Sequence, residues 1–136
     1  HAYELSRAAA SLEVPKYGLA RGLLLGQSIE LVLKAWLIGR QQISGVSSFT
    51  ARDAIRIKHG HDLEQLWSAA VQEGLPLEEP LPHWATLLAA AHGFPYASRY
   101  PGNSDAFRIP SESECVLVTQ LVMSVAAKLG KRLQWD

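Results

Sequence analysis

One long apolar segment, Tyr17 to Arg40, constrains the possible folds of this chain more than any other feature. Its apolar residues recur at helical spacing, but they form a wide stripe rather than a narrow one. They are Leu19, Leu23, Leu24, Ile29, Leu33, Trp36 and Leu37. A helix with so wide an apolar face has to be covered on several sides, so we expect it to be the central helix of a bundle.

The remaining sequence predicts four more helices, and it contains no clear β-strand pattern. Asp62 is the expected N-cap of one of them, and Ser111 with Glu114 forms a capping box at the start of another. The predicted ranges are Tyr3–Glu13, His61–Glu73, His83–His92 and Ser111–Leu133. The sequence therefore predicts an all-α fold: a single domain over residues 1–136 and an up-and-down helical bundle of about five helices.

The segment between the long helix and His61 has no clear apolar period. Gln41 to Thr50 is predicted to be a loop, and Thr50 is expected to cap a short turn that ends at Arg56. Three glycines of the long helix, Gly18, Gly22 and Gly26, are four residues apart and share one face. Such a row either lets another helix approach closely, which offers a physical route to a homodimer, or has no significance.

Composition excludes several classes of protein. Thirteen Lys and Arg residues balance thirteen Asp and Glu residues, which excludes a strongly basic nucleic-acid module and an acidic tail protein. The single cysteine, Cys115, excludes a disulfide framework and a Cys-rich zinc site, and we expect it to be a core residue. The longest uncharged apolar stretch, Cys115 to Ala127, is too short to span a bilayer. We expect a cytoplasmic protein without membrane contact.

Two charged residues interrupt the most apolar helix. Glu30 and Lys34 are four residues apart, which is the spacing of an ordinary surface ion pair. The stripe around them is wide, so the pair can equally belong to a partly buried polar cluster, in which each charge needs a partner. Arg99 and Tyr100 lie in a long Pro-rich stretch, Phe94 to Pro110, and Arg99 is suited to anchor that stretch on a carboxylate such as Glu30.

The densest polar run surrounds His61. Gly60 allows a sharp turn before the helix, so His61 is expected at a helix N-terminus. A neutral imidazole there can satisfy a buried acceptor or act as a general base. His59 and His61 are two residues apart and no His-x-x-x-His pair occurs, so we expect no metal site. Phosphate-binding and dinucleotide-binding glycine motifs do not occur, and we expect no cofactor.

These features predict that Glu30, Lys34, His61 and Arg99 converge into one polar cluster. A carboxylate at Glu30 can accept hydrogen bonds from Arg99 or His61, which satisfies charges that are otherwise costly to bury. The prediction fails if Glu30 lies far from both partners.

Three segments of the chain, taken in order, resemble the HEPN superfamily (higher eukaryotes and prokaryotes nucleotide-binding). They are Leu25–Leu37 (LGQSIELVLKAWL), Lys58–Leu66 (KHGHDLEQL) and Arg99–Pro101 (RYP). The resemblance implies an all-α up-and-down bundle, usually a homodimer. Many family members are metal-independent endoribonucleases, often toxins or phage-defence effectors, whereas others bind nucleotides or partners without catalysis.

The resemblance gives two functional hypotheses. The first is a dimeric module of bacterial defence or regulation, without strong catalysis, that binds RNA, a nucleotide or a partner protein. Its candidate binding residues are Glu30, Lys34, Lys58, His61, Asp62, Arg99 and Tyr100. The second is a metal-independent endoribonuclease, because Arg56 and His61 match the family's Arg-to-His spacing. In that case His61 acts as base or acid, and Arg56 or Arg99 holds phosphate.

Overall fold

The computed structural model describes residues 1–12, 18–92 and 110–130, and every regular element in these ranges is an α-helix. The helices are α1 (Ala2–Ser11), α2 (Gly18–Ile43), α3 (Ser48–His59), α4 (Leu63–Gln72), α5 (His83–His92) and α6 (Glu112–Lys128). The all-α bundle is confirmed. The described part of the chain has six helices, however, where the sequence predicted about five.

The additional helix is α3. The sequence placed only a short turn here, capped by Thr50, but the N-cap is Ser47, whose side chain accepts a hydrogen bond from the Thr50 backbone N–H at 3.3 Å. Only Ala51 and Ile55 of this helix are buried. So narrow an apolar stripe is hard to recognise in the sequence, which explains why the predicted turn was shorter than the helix.

Helix α2 is the centre of the bundle, as its wide apolar stripe predicted. It contacts each of the other five helices, and Leu25, Ile29 and Leu33 on it are fully buried. By length and composition, the segment Ala20–Ile43 could also cross a membrane. More than half of the apolar 18-residue stretch by which this segment qualifies is buried inside the bundle, and a core helix passes the same test.

The predicted capping signals of α4 and α6 are confirmed. The Asp62 carboxylate accepts a hydrogen bond from the Gln65 backbone N–H at 3.0 Å, which starts α4. The capping box of Ser111 and Glu114 starts α6. Helix α5 has the predicted bounds, and the buried Cys115 belongs to the core.

Two glycines of the row in α2 serve packing within the chain. Gly22 and Gly26 are both buried, and a Cβ added at Gly26 would lie 2.6 Å from Nδ1 of His92 in α5. The small residue at this position therefore lets the end of α5 approach α2. A second copy of the chain cannot use these two buried glycines as a contact surface.

Candidate functional site

The carboxylate of Glu30 is the centre of a polar cluster inside the bundle. Lys34 Nζ lies 2.6 Å from Oε1, and His92 Nε2 lies 2.6 Å from Oε2. His61 Nδ1 lies 3.0 Å from both carboxylate oxygens. We call these four residues the Glu30 cluster. It joins α2, the turn before α4 and the end of α5.

Local structure places each member. Lys34 follows Glu30 by one helical turn, so the two side chains share a face of α2. Gly60 has a positive φ of 55°, and this turn between α3 and α4 brings His61 over α2. His92 is the last residue of α5 and reaches Glu30 because Gly26 leaves room for its ring.

The Glu30 carboxylate is ionised at neutral pH. Its side chain is only 10% exposed, and this burial by itself would raise its pKa. Hydrogen bonds from His92, Lys34 and His61 outweigh burial and lower the pKa from 4.5 to about 2. Since a carboxylate can only accept hydrogen bonds, the imidazole nitrogens that face it carry protons.

The two histidines differ sharply in their exposure to solvent. The His92 side chain is 2% exposed, whereas that of His61 is 44% exposed. Their rings meet edge to face, with centroids 6.3 Å apart and planes at 78°. His92 is thus part of the core, and His61 connects the buried carboxylate to the surface.

His61 borders a cavity of about 620 Å³ between α4, α5 and the segment that joins them. Its polar lining comprises His59, His61, Asp62, Glu64 and Thr86, and Pro80 and Leu81 contribute apolar surface. The pKa of His59 is lowered, chiefly because the ring is partly buried and next because of the charge of Lys58. The cavity therefore offers imidazole and carboxylate groups to a ligand beside the Glu30 cluster.

The structure brings three of the four residues of the predicted cluster together. The contacts of Glu30 with Lys34 and with His61 are confirmed. Arg99 and Tyr100 lie outside the described residues, so the predicted contact of Arg99 stays a prediction.

The other candidate residues lie around this cluster rather than in it. Arg56 is 74% exposed on α3, and within the described ranges its ion-pair partner is Asp53, with Nε 4.0 Å from Oδ1. Lys58 is exposed and borders a second cavity of about 110 Å³. Asp62 caps α4 and lines the larger cavity.

Sequence reasoning missed His92. The residue ends an apolar helix, and its distance from the other histidines along the chain concealed their contact. One signal was present: Gly26 lies on the same face of α2 as Glu30, four residues before it, and so leaves space beside that carboxylate.

Two kinds of chemistry are open to this arrangement. The carboxylate holds His61 through Nδ1, which fixes one tautomer and orientation of a half-exposed imidazole, as in a general-base pair. Glu30, His61 and His92 also offer three atoms of the types that bind transition metals, and these atoms lie within 4.8 Å of one another.

No family model, curated protein or solved structure matches this chain. Its function has to be inferred from the residues and geometry of the site itself.

Proposed function

We propose that this protein is a HEPN-like module that binds RNA or a nucleotide beside His61. The observation that supports the proposal is the position of His61, which is held by Glu30 and borders the 620 Å³ cavity. When it is doubly protonated, a ring fixed in this way can donate its Nε2–H to a phosphate oxygen with little loss of side-chain entropy.

The lining of the cavity suits a nucleotide better than a bare phosphate. Carboxylates at Asp62 and Glu64 repel phosphate, but they accept hydrogen bonds from ribose hydroxyls and base amino groups. Pro80 and Leu81 offer apolar surface for a base. A ligand that combines an anionic part with hydrogen-bond donors fits this mixture of groups.

Fluorescence anisotropy with a labelled single-stranded RNA, in buffer that contains EDTA, tests the proposal. We expect His61→Ala to weaken binding at least tenfold, about 1.4 kcal/mol, because a charge-assisted hydrogen bond is lost. His1→Ala is the matched control, since His1 is exposed and pairs with Glu4 at the start of the sequence, outside the Glu30 cluster. Equal affinity of the wild type and His61→Ala, or no binding of either RNA or a nucleotide competitor, would contradict the proposal.

A second candidate function is metal-independent RNA cleavage. The Glu30–His61 contact favours it, because a carboxylate that accepts from Nδ1–H stabilises the imidazolium formed when a histidine acts as a base. The exposed position of Arg56 gives it less support, since its ion pair is with Asp53 rather than with the cluster. Cleavage of structured RNA in EDTA that is lost in both His61→Ala and Arg56→Ala would establish this function in place of simple binding.

We also propose that the protein is a homodimer, and the outer face of α6 supports this. Val116, Leu117 and Met123 are exposed on it, and no charged residue occurs from Cys115 to Ala127. A surface helix normally carries charges on its outer face. A face without charges can pair with its own copy across a two-fold axis without like-charge repulsion.

A further inference from the structure

We propose that Glu30, His61 and His92 form a binding site for a divalent transition-metal ion such as Zn²⁺. Two imidazole nitrogens and one carboxylate oxygen are a common set of zinc ligands. These three residues each offer one such atom, and all three atoms lie within 4.8 Å of one another. No pair of them has local ligand spacing in the sequence, which is why the sequence predicted no metal site.

The distances within the set are close to those of a metal centre. Zinc lies about 2.0–2.2 Å from each ligand atom, which places tetrahedral ligands about 3.3–3.6 Å apart. Oε2 of Glu30 is 3.0 Å from Nδ1 of His61 and 2.6 Å from Nε2 of His92. An ion therefore requires Oε2 to separate from Nδ1 of His61 by about 0.3–0.6 Å and from Nε2 of His92 by about 0.7–1.0 Å. His61 can provide the first movement, because it is half exposed and follows the turn at Gly60. The second movement falls to the Glu30 side chain, because the ring of His92 is 2% exposed and packs against Gly26.

The contact of Lys34 with Glu30 leaves one carboxylate oxygen, Oε2, available to a metal ion. Its ammonium lies 2.6 Å from Oε1, whereas Oε2 faces both histidines. An ion bound by Oε2 leaves Oε1 to Lys34, which then holds the carboxylate in place from outside the ligand set. The positive charge of Lys34 lowers the affinity for a cation, so we expect binding weaker than that of Cys-rich structural sites.

Metal binding moves two protons. Nδ1 of His61 and Nε2 of His92 now donate to Glu30, and each has to present a lone pair to the ion instead. The proton of each neutral ring shifts to its other nitrogen, and a doubly protonated ring releases one proton to solvent. No electron is transferred. Because protons and metal compete for the same nitrogens, the affinity falls as the pH is lowered.

Three protein ligands leave at least one coordination position for water or a ligand. Of the three ligands, His61 borders the 620 Å³ cavity, which lies next to the site. The site thus has the ligand number of catalytic zinc sites rather than the four protein ligands of structural ones. Metal binding at this site does not require RNA or nucleotide binding.

Titration of the EDTA-treated, dialysed chain with Co²⁺, which gives a visible absorption spectrum when bound, tests the proposal. We expect a saturable spectrum at one ion per chain that Zn²⁺ displaces. His61→Ala should weaken binding at least tenfold, about 1.4 kcal/mol, and should still fold, because His61 is half exposed. His1→Ala and His83→Ala are the controls for adventitious binding by exposed histidines, and both should bind as the wild type does.

Two results would overturn the proposal. One is a wild-type chain that shows no saturable spectrum up to about 1 mM Co²⁺, a concentration that corresponds to about 4 kcal/mol of binding free energy. The other is binding that survives His61→Ala unchanged or disappears in His1→Ala. Because the readout is a spectrum rather than RNA binding, failure of the metal proposal remains distinct from failure of the proposed function.

Discussion

The imidazole of His92 lies directly against Gly26, so close that a Cβ at Gly26 would be 2.6 Å from His92 Nδ1 and 2.9 Å from Cγ. The opposite ring nitrogen, Nε2, lies 2.6 Å from Glu30. Gly26 thus creates the space in which the buried His92 reaches the buried carboxylate of Glu30. The geometry of the Glu30 cluster therefore depends on a residue that has no side chain to contribute to it.

We expect Gly26→Ala to destabilise the protein, although alanine favours helices over glycine by about 1 kcal/mol. The new methyl group meets the ring of His92, which is 2% exposed and cannot move aside, and overpacking of this kind typically costs about 1–3 kcal/mol. Thermal unfolding should show a net loss of stability.

Gly39→Ala in the same helix is the matched control. A Cβ there meets only the end of the flexible Leu129 side chain, at 2.9 Å. We expect its melting temperature to equal or exceed that of the wild type, because the helix propensity of alanine is gained and little is displaced. An unchanged melting temperature in Gly26→Ala would show that His92 does not pack as described.

Glu30→Gln should be one of the most destabilising conservative changes in the chain. It leaves Lys34 and His92 without their carboxylate, and breaking a buried ionic contact typically costs about 3–5 kcal/mol. Asp53→Asn is the control, because it breaks an exposed pair with Arg56 and should cost less than about 1 kcal/mol. Urea unfolding of the two variants measures the difference, and similar losses in both would refute a buried role for Glu30.

The pH dependence of the free energy of unfolding should show the contribution of the ionised Glu30 carboxylate. The pKa of Glu30 is about 2 in the folded chain against 4.5 for an unperturbed glutamate, so the unfolded chain binds more protons between these values. The stabilisation by Glu30, at most about 3 kcal/mol, is therefore complete above about pH 4.5 and is lost as the pH falls toward 2. Lys34, His61 and His92 face the carboxylate and take part in this coupling.

The comparison of wild type with Glu30→Gln isolates that contribution. The difference between their free energies of unfolding should narrow as the pH falls from about 4.5 toward 2. A difference that stays constant down to the lowest pH at which both proteins fold would mean that Glu30 has no lowered pKa.

The sequence predicted the parts of the cluster that carry a local signal. Glu30 and Lys34 stood out as charges within an apolar helix, and His61 stood out after a glycine turn. His92 was missed because nothing local distinguishes a histidine at the end of an apolar helix. Its role depends on the packing of α5 against Gly26, which is a tertiary contact that sequence spacing does not encode.

The same limit explains the error at α3. The sequence predicted α2 from its wide apolar stripe and α6 from the capping box at its start. Helix α3 buries only Ala51 and Ile55, and most of its residues are polar. Its stability comes from packing against α2, so the local pattern understated its length.

Met123→Glu should prevent dimer formation if α6 is the dimer face. A carboxylate at this exposed position places two like charges near each other across a two-fold interface and should not disturb the monomer. Ile57→Glu on the exposed face of α3 is the control and should leave the dimer intact. Analytical ultracentrifugation gives the masses. A wild-type mass near that of one chain, 14.9 kDa, would refute the dimer itself.

The most direct test of the Glu30 cluster is the tautomer of its two histidines, measured by long-range ¹H–¹⁵N NMR correlation in mildly alkaline, metal-free buffer. Because Glu30 accepts a hydrogen bond from each ring, His61 should carry its proton on Nδ1 and His92 on Nε2. Both patterns should change in Glu30→Gln, whereas that of His83, an exposed residue of α5, should not. A proton on Nε2 of His61 or on Nδ1 of His92 in the wild type would contradict the hydrogen-bonded cluster on which the site is built.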